Sequence, residues 1–462
     1  MSAAVAPWRL LGCLALAAGV VALAPADPSL RAGLGLFALI GSLWMTQALH
    51  LSFTALLVPL LAVLAGVLTV REALSAFAQP VIFLFLGGFA LAAALSRHQL
   101  DQALALAMLR LARGRTALAV GLLFALTAVL SMWLSNTATA AMMLPLALGL
   151  LPPRSGSADG APPESAQGRR TRAFVLLGLA YSASIGGMGT LVGSPPNAIA
   201  AAQAGIGFAD WLRIGLPLVA LLWPLMVALL YLLLRPRFDS PATSADLHPA
   251  DPPPTWTWTR PRVLTLGIFA LTVTGWVLGA PLARALGVQA DIDTLVALAA
   301  IALLGASGVL GWGDLERQTQ WGVLLLFGGG LTLSQVMSGT GSSDFLAQAL
   351  LRWVADAPTL LVLLALVAFV VMLTELVSNT ASAALIIPIA LSLAPAWGLP
   401  PVAVAAAVAL AASCAFMLPV ATPPNAIVFG SGGVSQATMM RIGMGLNLLA
   451  MAVITAWATL LG

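Results

Sequence analysis

Apolar stretches long enough to cross a membrane recur along nearly the whole of this 462-residue chain, separated by short clusters of Arg, Pro and Gly. A helix crosses the roughly 30 Å core of a bilayer with about 20 apolar residues. The chain is 60% hydrophobic and only 8% charged, a balance that a water-facing surface does not support. Because the alternating pattern of membrane strands is lacking, we predict an all-α polytopic membrane protein.

The basic residues of the chain are all Arg, and these 20 exceed the 16 acidic residues. Such an excess also occurs in nucleic-acid-binding proteins, but here Arg lies mostly between apolar segments, the pattern that orients membrane helices. We therefore predict no nucleic-acid partner, and a multi-pass protein of the bacterial inner (cytoplasmic) membrane with its N-terminus in the cytoplasm. That orientation places Arg97, Arg110, Arg113, Arg115, Arg154, Arg169, Arg170, Arg172, Arg235, Arg237, Arg260 and Arg262 inside, and Arg31, Arg71, Arg213, Arg284 and Arg352 outside.

Charges and Pro/Gly clusters delimit eleven predicted membrane spans. They lie at about 10–24, 33–49, 53–69, 80–96, 174–206, 212–234, 262–280, 294–311, 322–337, 401–429 and 442–461. Two segments remain, Ala117–Leu150 and Thr359–Ala394, each too long for one span and with Ser-Asn-Thr at its centre. We interpret both as re-entrant hairpins, since their joining residues lack the charges of a loop in water; two ordinary helices joined by a turn are the alternative.

Two of the spans contain a double proline. The sequences GSPPNAIA (193–200) and ATPPNAIV (421–428) lie in long uncharged stretches, and a double proline interrupts the hydrogen-bond ladder of a continuous helix. We therefore predict two broken helices.

The hairpins and broken helices belong to an internal repeat. LFLGGFAL (84–91), LSNTATAA (134–141) and SPPNAI (194–199) correspond to LFGGGLTL (326–333), VSNTASAA (377–384) and TPPNAI (422–427), in the same order. The predicted orientation places the two hairpins on opposite sides of the membrane, which makes the halves inverted repeats. Broken helices at matching positions of inverted repeats are typical of a transporter's binding site.

A half-helix that begins inside a membrane presents free N–H groups and a partial positive charge, which together bind an anion without Arg or Lys. Ser194 and Thr422 stand where N-caps of such half-helices are expected. Each Ser-Asn-Thr triplet precedes another half-helix, so its side chains can cap that helix and also face a ligand. Carbonyl oxygens freed by the breaks, with Ser131 and Thr374, are suited to a small cation such as sodium. The alternative is that these polar residues only hold helices together.

One acidic residue, Glu375, lies deep in an apolar segment, and we favour a role in anchoring the second hairpin over one in titration. Phosphate-binding loops, paired catalytic carboxylates and metal-ligand spacings are not evident, so an enzyme is not predicted. Cys13 and Cys414 are interpreted as packing residues.

With these motifs, and with WMTQALHLSFTALLVPLL (44–61), the chain resembles the divalent anion/sodium symporter family of dicarboxylate, citrate and sulfate transporters. The resemblance implies a homodimer that works as an elevator. Its scaffold would comprise residues 1–112 (spans 1–4) and 262–340 (spans 7–9), and its mobile transport domain residues 113–235 and 341–462, with a cytoplasmic loop at 236–261. Where the family often has Glu and Pro, this chain has Gln47 and His50, a change expected to affect the scaffold rather than the site.

The resemblance also implies ligands. One sodium site would use Ser131, Ser135, Asn136 and Gly193; the other would use Thr374, Val377, Ser378, Asn379 and Ala421, with Val377 and Ala421 acting through their carbonyls. Substrate carboxylates would meet Asn136, Thr137, Ser194, Asn379, Thr380, Thr422 and Pro423.

The predicted function is uptake of a C4 dicarboxylate such as succinate, malate or fumarate, driven by co-transported sodium. An exchanger without net sodium flux, or a transporter of sulfate or citrate, would use the same donors. An anion channel or a non-transporting receptor is the alternative from another class.

Overall fold

The computed structural model describes residues 7–152, 165–238, 257–287, 291–354 and 357–461. Within these ranges the secondary structure is helical and contains no strand. Among the described residues, eight helical segments are long and apolar enough to cross a membrane, and five shorter apolar helices accompany them. The all-α membrane class is thus confirmed, while the count of eleven spans stays a prediction. Most of the Pro-rich loops at 152–172 and 236–260 lies outside the described residues.

After a first helix, α1 (Pro7–Leu23), the described helices form two series of ten with matching order. The first series is α2 (Pro28–Thr46), α3 (Leu51–Leu64), α4 (Val70–Ser75), α5 (Pro80–Arg97), α6 (Leu100–Leu111), α7 (Thr116–Ser131), α8 (Asn136–Gly149), α9 (Ala166–Gly186), α10 (Pro195–Ala204) and α11 (Phe208–Leu234). The second is α12 (Arg260–Leu286), α13 (Ile292–Ala306), α14 (Trp312–Gln318), α15 (Trp321–Gly339), α16 (Ser342–Val354), α17 (Thr359–Leu376), α18 (Asn379–Leu393), α19 (Pro401–Ala412), α20 (Pro423–Gly430) and α21 (Gln436–Leu460).

Four short helices, α4, α6, α14 and α16, were not among the predicted spans. Each carries charged residues that a membrane span avoids, such as Asp314 and Arg317 in α14. Local signals define them instead: α4 begins with a capping box between Thr69 and Glu72. An ion pair between Arg97 and Asp314 joins α14 to the end of α5.

The two leftover segments are helical hairpins whose bounds lie within one residue of the predicted ones. Helices α7 and α8 are joined by residues 132–135, and α17 and α18 by residues 377–378. Each hairpin packs on the broken helix that follows it: α7 and α8 contact α9, while α17 and α18 contact α19. The second half of each broken helix contacts the opposite hairpin, α10 on α18 and α20 on α8. This crosswise packing brings both tips and both breaks to one place in the core.

The remaining long helices also pack across the repeat, since α3 lies against α15 and α5 against α13. Small residues permit this close approach. A Cβ atom on Gly87 would lie 2.7 Å from the Cβ of Ala297, and one on Gly329 would lie 2.7 Å from the Cα of Ala55. Of these helices, α15 also contacts α18 and α10, and α5 contacts α10.

Candidate functional site

A cavity of about 320 Å³ lies where the hairpin tips and the helix breaks meet. Its wall contains all seven residues predicted to bind substrate, namely Asn136, Thr137, Ser194, Asn379, Thr380, Thr422 and Pro423. Among the described residues that line it, none carries a charged side chain. Any anion bound here is therefore recognised by N–H groups, amides and hydroxyls.

The first hairpin tip forms where α7 ends and α8 begins. Ser135 has extended backbone, and its Oγ accepts a hydrogen bond from the Ala138 N–H at 3.2 Å, which makes it the N-cap of α8 as predicted. Asn136 is the first residue of α8, so its side chain stands beside the helix's positive end. Behind it, the Oγ of Ser131 lies 2.7 Å from both Asn136 Oδ1 and the Ala183 carbonyl oxygen of α9.

The second tip repeats this arrangement with different residue types. The Oγ1 of Thr374 lies 2.8 Å from Asn379 Oδ1 and 2.7 Å from the Ala412 carbonyl oxygen of α19. Here the prediction for the cap is not met in full, because the Ser378 side chain makes no capping hydrogen bond to α18. The oxygen cluster at Thr374 is nevertheless present without this capping hydrogen bond.

Each cluster joins three oxygen atoms, and the hydroxyl supplies only one proton for them. Two acceptor oxygens therefore face an oxygen that can donate to only one of them at a time. Small hard cations prefer oxygen ligands of this kind, and a bound cation would satisfy all three together. Neutral ligands suit a monovalent ion better than a divalent one, which is usually held by carboxylates.

The first cluster is widened by carbonyls of the α9–α10 break. A Cβ atom on Gly187 would lie 2.4 Å from Asn136 Oδ1 and 2.9 Å from the Gly193 carbonyl oxygen, so these oxygens converge on the same point. Gly193 also lines the cavity, as do Ser135, Val377, Ser378 and Ala421 of the predicted sodium sites. Ser131 and Thr374 are fully buried and lie behind the wall.

The asparagines of the two Pro-Pro-Asn motifs bridge the breaks. Asn197 Nδ2 donates to the carbonyl oxygens of Gly187 and Thr190 at 2.9 and 2.7 Å. Asn425 Nδ2 donates to those of Ala415 and Leu418, both at 3.0 Å. A broken helix leaves carbonyl oxygens without hydrogen-bond donors. These side-chain amides supply the missing donors without closing the break. The repeated motif thus has a structural purpose beyond starting a half-helix.

The caps of the two half-helices differ. Thr422 accepts a hydrogen bond from the Asn425 N–H at 3.4 Å and is an N-cap, as predicted for both positions. Ser194 makes no capping bond, and its Oγ lies instead 3.3 Å from the Oγ of Ser413 in the other half. The prediction for the Ser194 side chain is wrong, because the hydroxyl pairs across the repeat rather than with its own helix.

Glu375 anchors the second break. Its Oε1 accepts hydrogen bonds from the N–H groups of Phe416 and Met417 at 2.7 and 2.8 Å and from Asn447 Nδ2 at 2.8 Å, and its Oε2 accepts one from the Leu418 N–H at 3.1 Å. The favoured anchoring role is present, although the anchored element is the break and α21 rather than the hairpin alone.

Several residues of the candidate site were not predicted from the sequence. The carbonyls of Ala183 and Ala412 left no signal, since any residue type supplies a carbonyl. Gln47 was assigned to the scaffold away from the site, yet it lines the cavity from the end of α2, where a left-handed backbone (φ 49°) turns the chain. That expectation is therefore wrong. The wall facing the tips also includes Phe85, Phe89, Gln320 and Val323.

Comparison with known proteins decides what kind of protein this site belongs to. A family model described as citrate transporter matches residues 42–409. The chain belongs to this family of transporters. The resemblance to divalent anion/sodium symporters is thereby confirmed, and the family consists of transporters rather than enzymes.

Similar proteins support this assignment at different distances. An uncharacterized transporter of Haemophilus influenzae is 46% identical over 93% of this chain and 91% of its own length. The sodium-dependent dicarboxylate transporter SdcS of Staphylococcus saprophyticus is 32% identical over 90% of this chain and 83% of its own. The solved YdaH transporter of Alcanivorax borkumensis shares the fold, with a TM-score of 0.53 and 16% identity over 98% of this chain and 97% of that one.

Proposed function

We propose that this transporter couples the entry of sodium to the uptake of a C4 dicarboxylate such as succinate, malate or fumarate. The observation that carries the proposal is the meeting of two uncharged hairpin tips and two half-helix starts around one small cavity, with an oxygen cluster behind each tip. A dicarboxylate has two anionic ends, and two equivalent tips offer one set of donors to each end. The sodium dependence named for the SdcS relative supports the same chemistry.

In the proposed complex, the Asn136 and Asn379 amides, the Thr137 and Thr380 hydroxyls, and the starts of α10 and α20 hold the carboxylates. Two sodium ions occupy the clusters at Ser131 and Thr374. Binding of the anion in a region of low dielectric is unfavourable alone, and the co-bound cations offset its charge. A site that holds the dicarboxylate with two sodium ions is thus close to neutral, as is the empty site. A site that holds the dicarboxylate alone is negatively charged.

The proposed movement is an elevator, in which residues 113–235 and 341–462 carry the site past residues 1–112 and 262–340 of a homodimer. Two vestibules support alternating access. One of about 590 Å³ shares Phe89, Ser135 and Gln320 with the central cavity, and its counterpart of about 390 Å³ shares no lining residue with it. The first lies beside the end of α5, the side assigned to the cytoplasm, so the conformation would be inward-facing.

The decisive experiment is uptake of labelled succinate into proteoliposomes of the purified protein, with an inward sodium gradient or with potassium in its place. Half of the vesicles contain unlabelled succinate. Sodium-dependent uptake into empty vesicles supports symport. Uptake that requires internal succinate and is independent of sodium overturns the symport mechanism in favour of exchange. Competition by sulfate or citrate in the same assay would make that anion, rather than a C4 dicarboxylate, the proposed substrate.

The Asn136→Ala and Asn379→Ala variants test the site itself. Each should abolish uptake while expression and oligomeric state, measured by size-exclusion chromatography, stay those of the parent. Normal uptake by both variants would contradict the site assignment. A current that does not saturate with succinate and ignores the cation gradient would indicate a channel.

A further inference from the structure

Two hydrogen bonds cross the boundary between the proposed transport domain and the proposed scaffold. The Phe208 N–H, at the start of α11, donates to Asp293 Oδ2 of α13 at 2.7 Å. The Ser334 Oγ of α15 donates to Gln203 Oε1 of α10 at 3.3 Å. Both residues of the second bond line the vestibule of about 390 Å³ that shares no lining residue with the central cavity, here called the outer vestibule. The bonds therefore join the two proposed domains on the side from which the site is closed.

Phe208 is also fixed at this place by its side chain. Its ring stacks on that of Trp276 in α12, with 4.7 Å between the centroids and 26° between the planes, and both side chains are fully buried. The Trp276 indole N–H in turn donates to the backbone carbonyl of Asp293 at 2.9 Å. The start of α11 thus meets α12 and α13 through one connected group of aromatic and polar contacts.

The repeat identifies the residue that corresponds to Asp293 in the first half. Trp44 and Trp276 end the matching segments GLFALIGSLW and GIFALTVTGW of α2 and α12. The Trp44 indole N–H donates to the Leu51 carbonyl at 3.4 Å, as that of Trp276 does to the Asp293 carbonyl. Leu51 and Asp293 also lie equally far ahead of the repeated LFLGGFAL and LFGGGLTL motifs. Leu51 is therefore the counterpart of Asp293.

The counterparts of these residues cannot form the same contacts. Leu51 has no acceptor oxygen in its side chain. Ser334 aligns with Ala92, directly after the repeated motif, and Ala92 has no hydroxyl. Phe208 aligns with Gln436, equally far after the two Pro-Pro-Asn motifs, and Gln436 has no ring to stack. In a transporter built from inverted repeats, exchanging the roles of the halves converts the inward-facing into the outward-facing conformation. The outward-facing conformation would therefore lack these contacts on its closed side.

We propose that the bonds of Asp293 and Ser334 form a latch that keeps the outer side closed and biases the empty transporter toward the inward-facing conformation. The inference rests on the proposed elevator movement but not on the identity of the substrate. A carboxyl group offers an acceptor oxygen whether or not it is protonated, so the bond from Phe208 does not depend on the charge of Asp293. By lowering the fraction of molecules open to the outside, the latch raises the external substrate concentration needed for uptake.

Four variants test the latch. Asp293→Leu and Ser334→Ala each remove one bond by copying the aligned residue of the first half. Asp293→Asn is the matched control, because it keeps an acceptor oxygen for the Phe208 N–H. Leu51→Asp is the reciprocal variant, since it gives the closed side of the outward-facing conformation the acceptor that it lacks. Leu51 is the first residue of α3, a position that suits an acidic side chain.

The conformation is measured by the rate at which a membrane-impermeant thiol reagent modifies Val420→Cys from the outside of right-side-out vesicles. Val420 belongs to the second break, lines the central cavity and is 86% exposed, so a thiol there faces the outside only in the outward-facing conformation. The native residues Cys13 and Cys414 are buried. The assay needs neither succinate nor sodium. Uptake of labelled succinate is measured separately on the same variants without the added cysteine.

We expect Asp293→Leu to raise the rate of modification about tenfold and Ser334→Ala to raise it about threefold, the effects of losing one hydrogen bond each. Asp293→Asn should stay within about twofold of the parent. Leu51→Asp should also raise the rate. Because this variant leaves the outer side unaltered, its effect cannot come from damage to the folded outer side.

Equal rates in the parent, Asp293→Leu and Leu51→Asp would overturn the latch, and so would an increase in Asp293→Asn as large as that in Asp293→Leu. The latch and the proposed function fail separately. Raised labelling in a protein that takes up no succinate would keep the latch and remove the substrate assignment. Sodium-dependent uptake with unchanged labelling in every variant would do the reverse. Absence of labelling from the outside in all of them would overturn both the latch and the elevator movement.

Discussion

The two broken helices of this transporter satisfy the backbone N–H groups at their breaks in two different ways. In the first break, residues 187–194, the chain nearly continues its helix: the N–H groups of Met188 and Gly189 donate to the carbonyls of Ile185 and Gly186 at 3.1 and 2.9 Å. The second break, residues 413–422, is two residues longer. There the corresponding N–H groups, those of Phe416 and Met417, donate to Glu375 instead.

This difference extends to the residues that face the oxygen clusters. Gly187 leaves no room for a Cβ atom, whereas the aligned residue of the second half is Ala415. Likewise Gly193 aligns with Ala421. A compact break held by backbone bonds needs glycine, and an open break held by a side chain accepts alanine. The repeat therefore preserves the two oxygen clusters and varies the means of holding them in place.

The largest expected effect concerns the side of the membrane from which each half of the repeat is accessible. Ser96 and Ser338 occupy aligned positions at the ends of α5 and α15, and each lines one vestibule. If the halves are inverted, a membrane-impermeant thiol reagent should modify Ser96→Cys from the cytoplasmic side alone and Ser338→Cys from the outside alone. Labelling in right-side-out and inside-out vesicles measures this.

The parent protein is the control for that labelling, since Cys13 and Cys414 are both buried. Modification of both variants from the same side would show that the two halves are parallel. It would also remove the argument that the two vestibules are opposite entrances to one site.

The next largest effect is expected from a substitution of Gly187, the glycine at the start of the first break. In Gly187→Ala the new Cβ would meet Asn136 Oδ1 and the Gly193 carbonyl within 3.0 Å, so an oxygen at the first cluster must move. Displacement of a binding group by about 1 Å costs on the order of 10²-fold in rate, and we expect succinate uptake to fall by about that factor. The matched variant Ala415→Gly should keep uptake within about twofold of the parent. Equal losses in both would show that the two breaks are not built differently.

The hairpins and the breaks could be predicted because each is marked by residue types that are unusual inside an apolar segment, while the seven lining residues were implied by the family resemblance of these motifs. Ser-Asn-Thr and Pro-Pro-Asn occur twice in the same order, and a double proline cannot continue a helix. The hairpin bounds followed from the same punctuation. These features are local, so they could be read without knowing what packs against them.

What could not be predicted depends on distant partners or on the backbone. Glu375 meets residues 41 to 72 positions away, and no local pattern indicates them. The Ala183 and Ala412 carbonyls carry no residue signature. Gln47 lines the cavity from the end of α2, far along the chain from the hairpin tips, and Ser194 pairs with Ser413 across 219 positions. Short charged helices such as α14 have too few apolar residues to resemble a span.

A smaller effect is expected from the hydroxyl that holds the first break. Thr190→Val removes the hydrogen bonds to the Met132 carbonyl and from the Gly193 N–H, and leaves that buried N–H without its partner. The loss should lower the free energy of unfolding by roughly 1–3 kcal/mol and weaken the proposed sodium site at Ser131. Thermal melting with and without sodium checks both consequences. Leu418→Val at the aligned position is the control, because Leu418 contributes only backbone bonds.

The smallest effect is expected from removing the hydroxyls at the starts of the two half-helices, Thr422 and Ser194. Thr422→Ala removes the bond from the Asn425 N–H and should cost about 1 kcal/mol of stability, the usual value of an N-cap side chain. Ser194→Ala removes no cap, and the Ser413 hydroxyl keeps its hydrogen bond to the Ala409 carbonyl, so the loss of stability should be smaller than that of Thr422→Ala. Both hydroxyls line the cavity, and both variants should raise the succinate concentration that gives half-maximal uptake. A stability loss in Ser194→Ala equal to that in Thr422→Ala would mean that the contact with Ser413 contributes as much as a cap. The two breaks would then be matched in energy although they differ in construction.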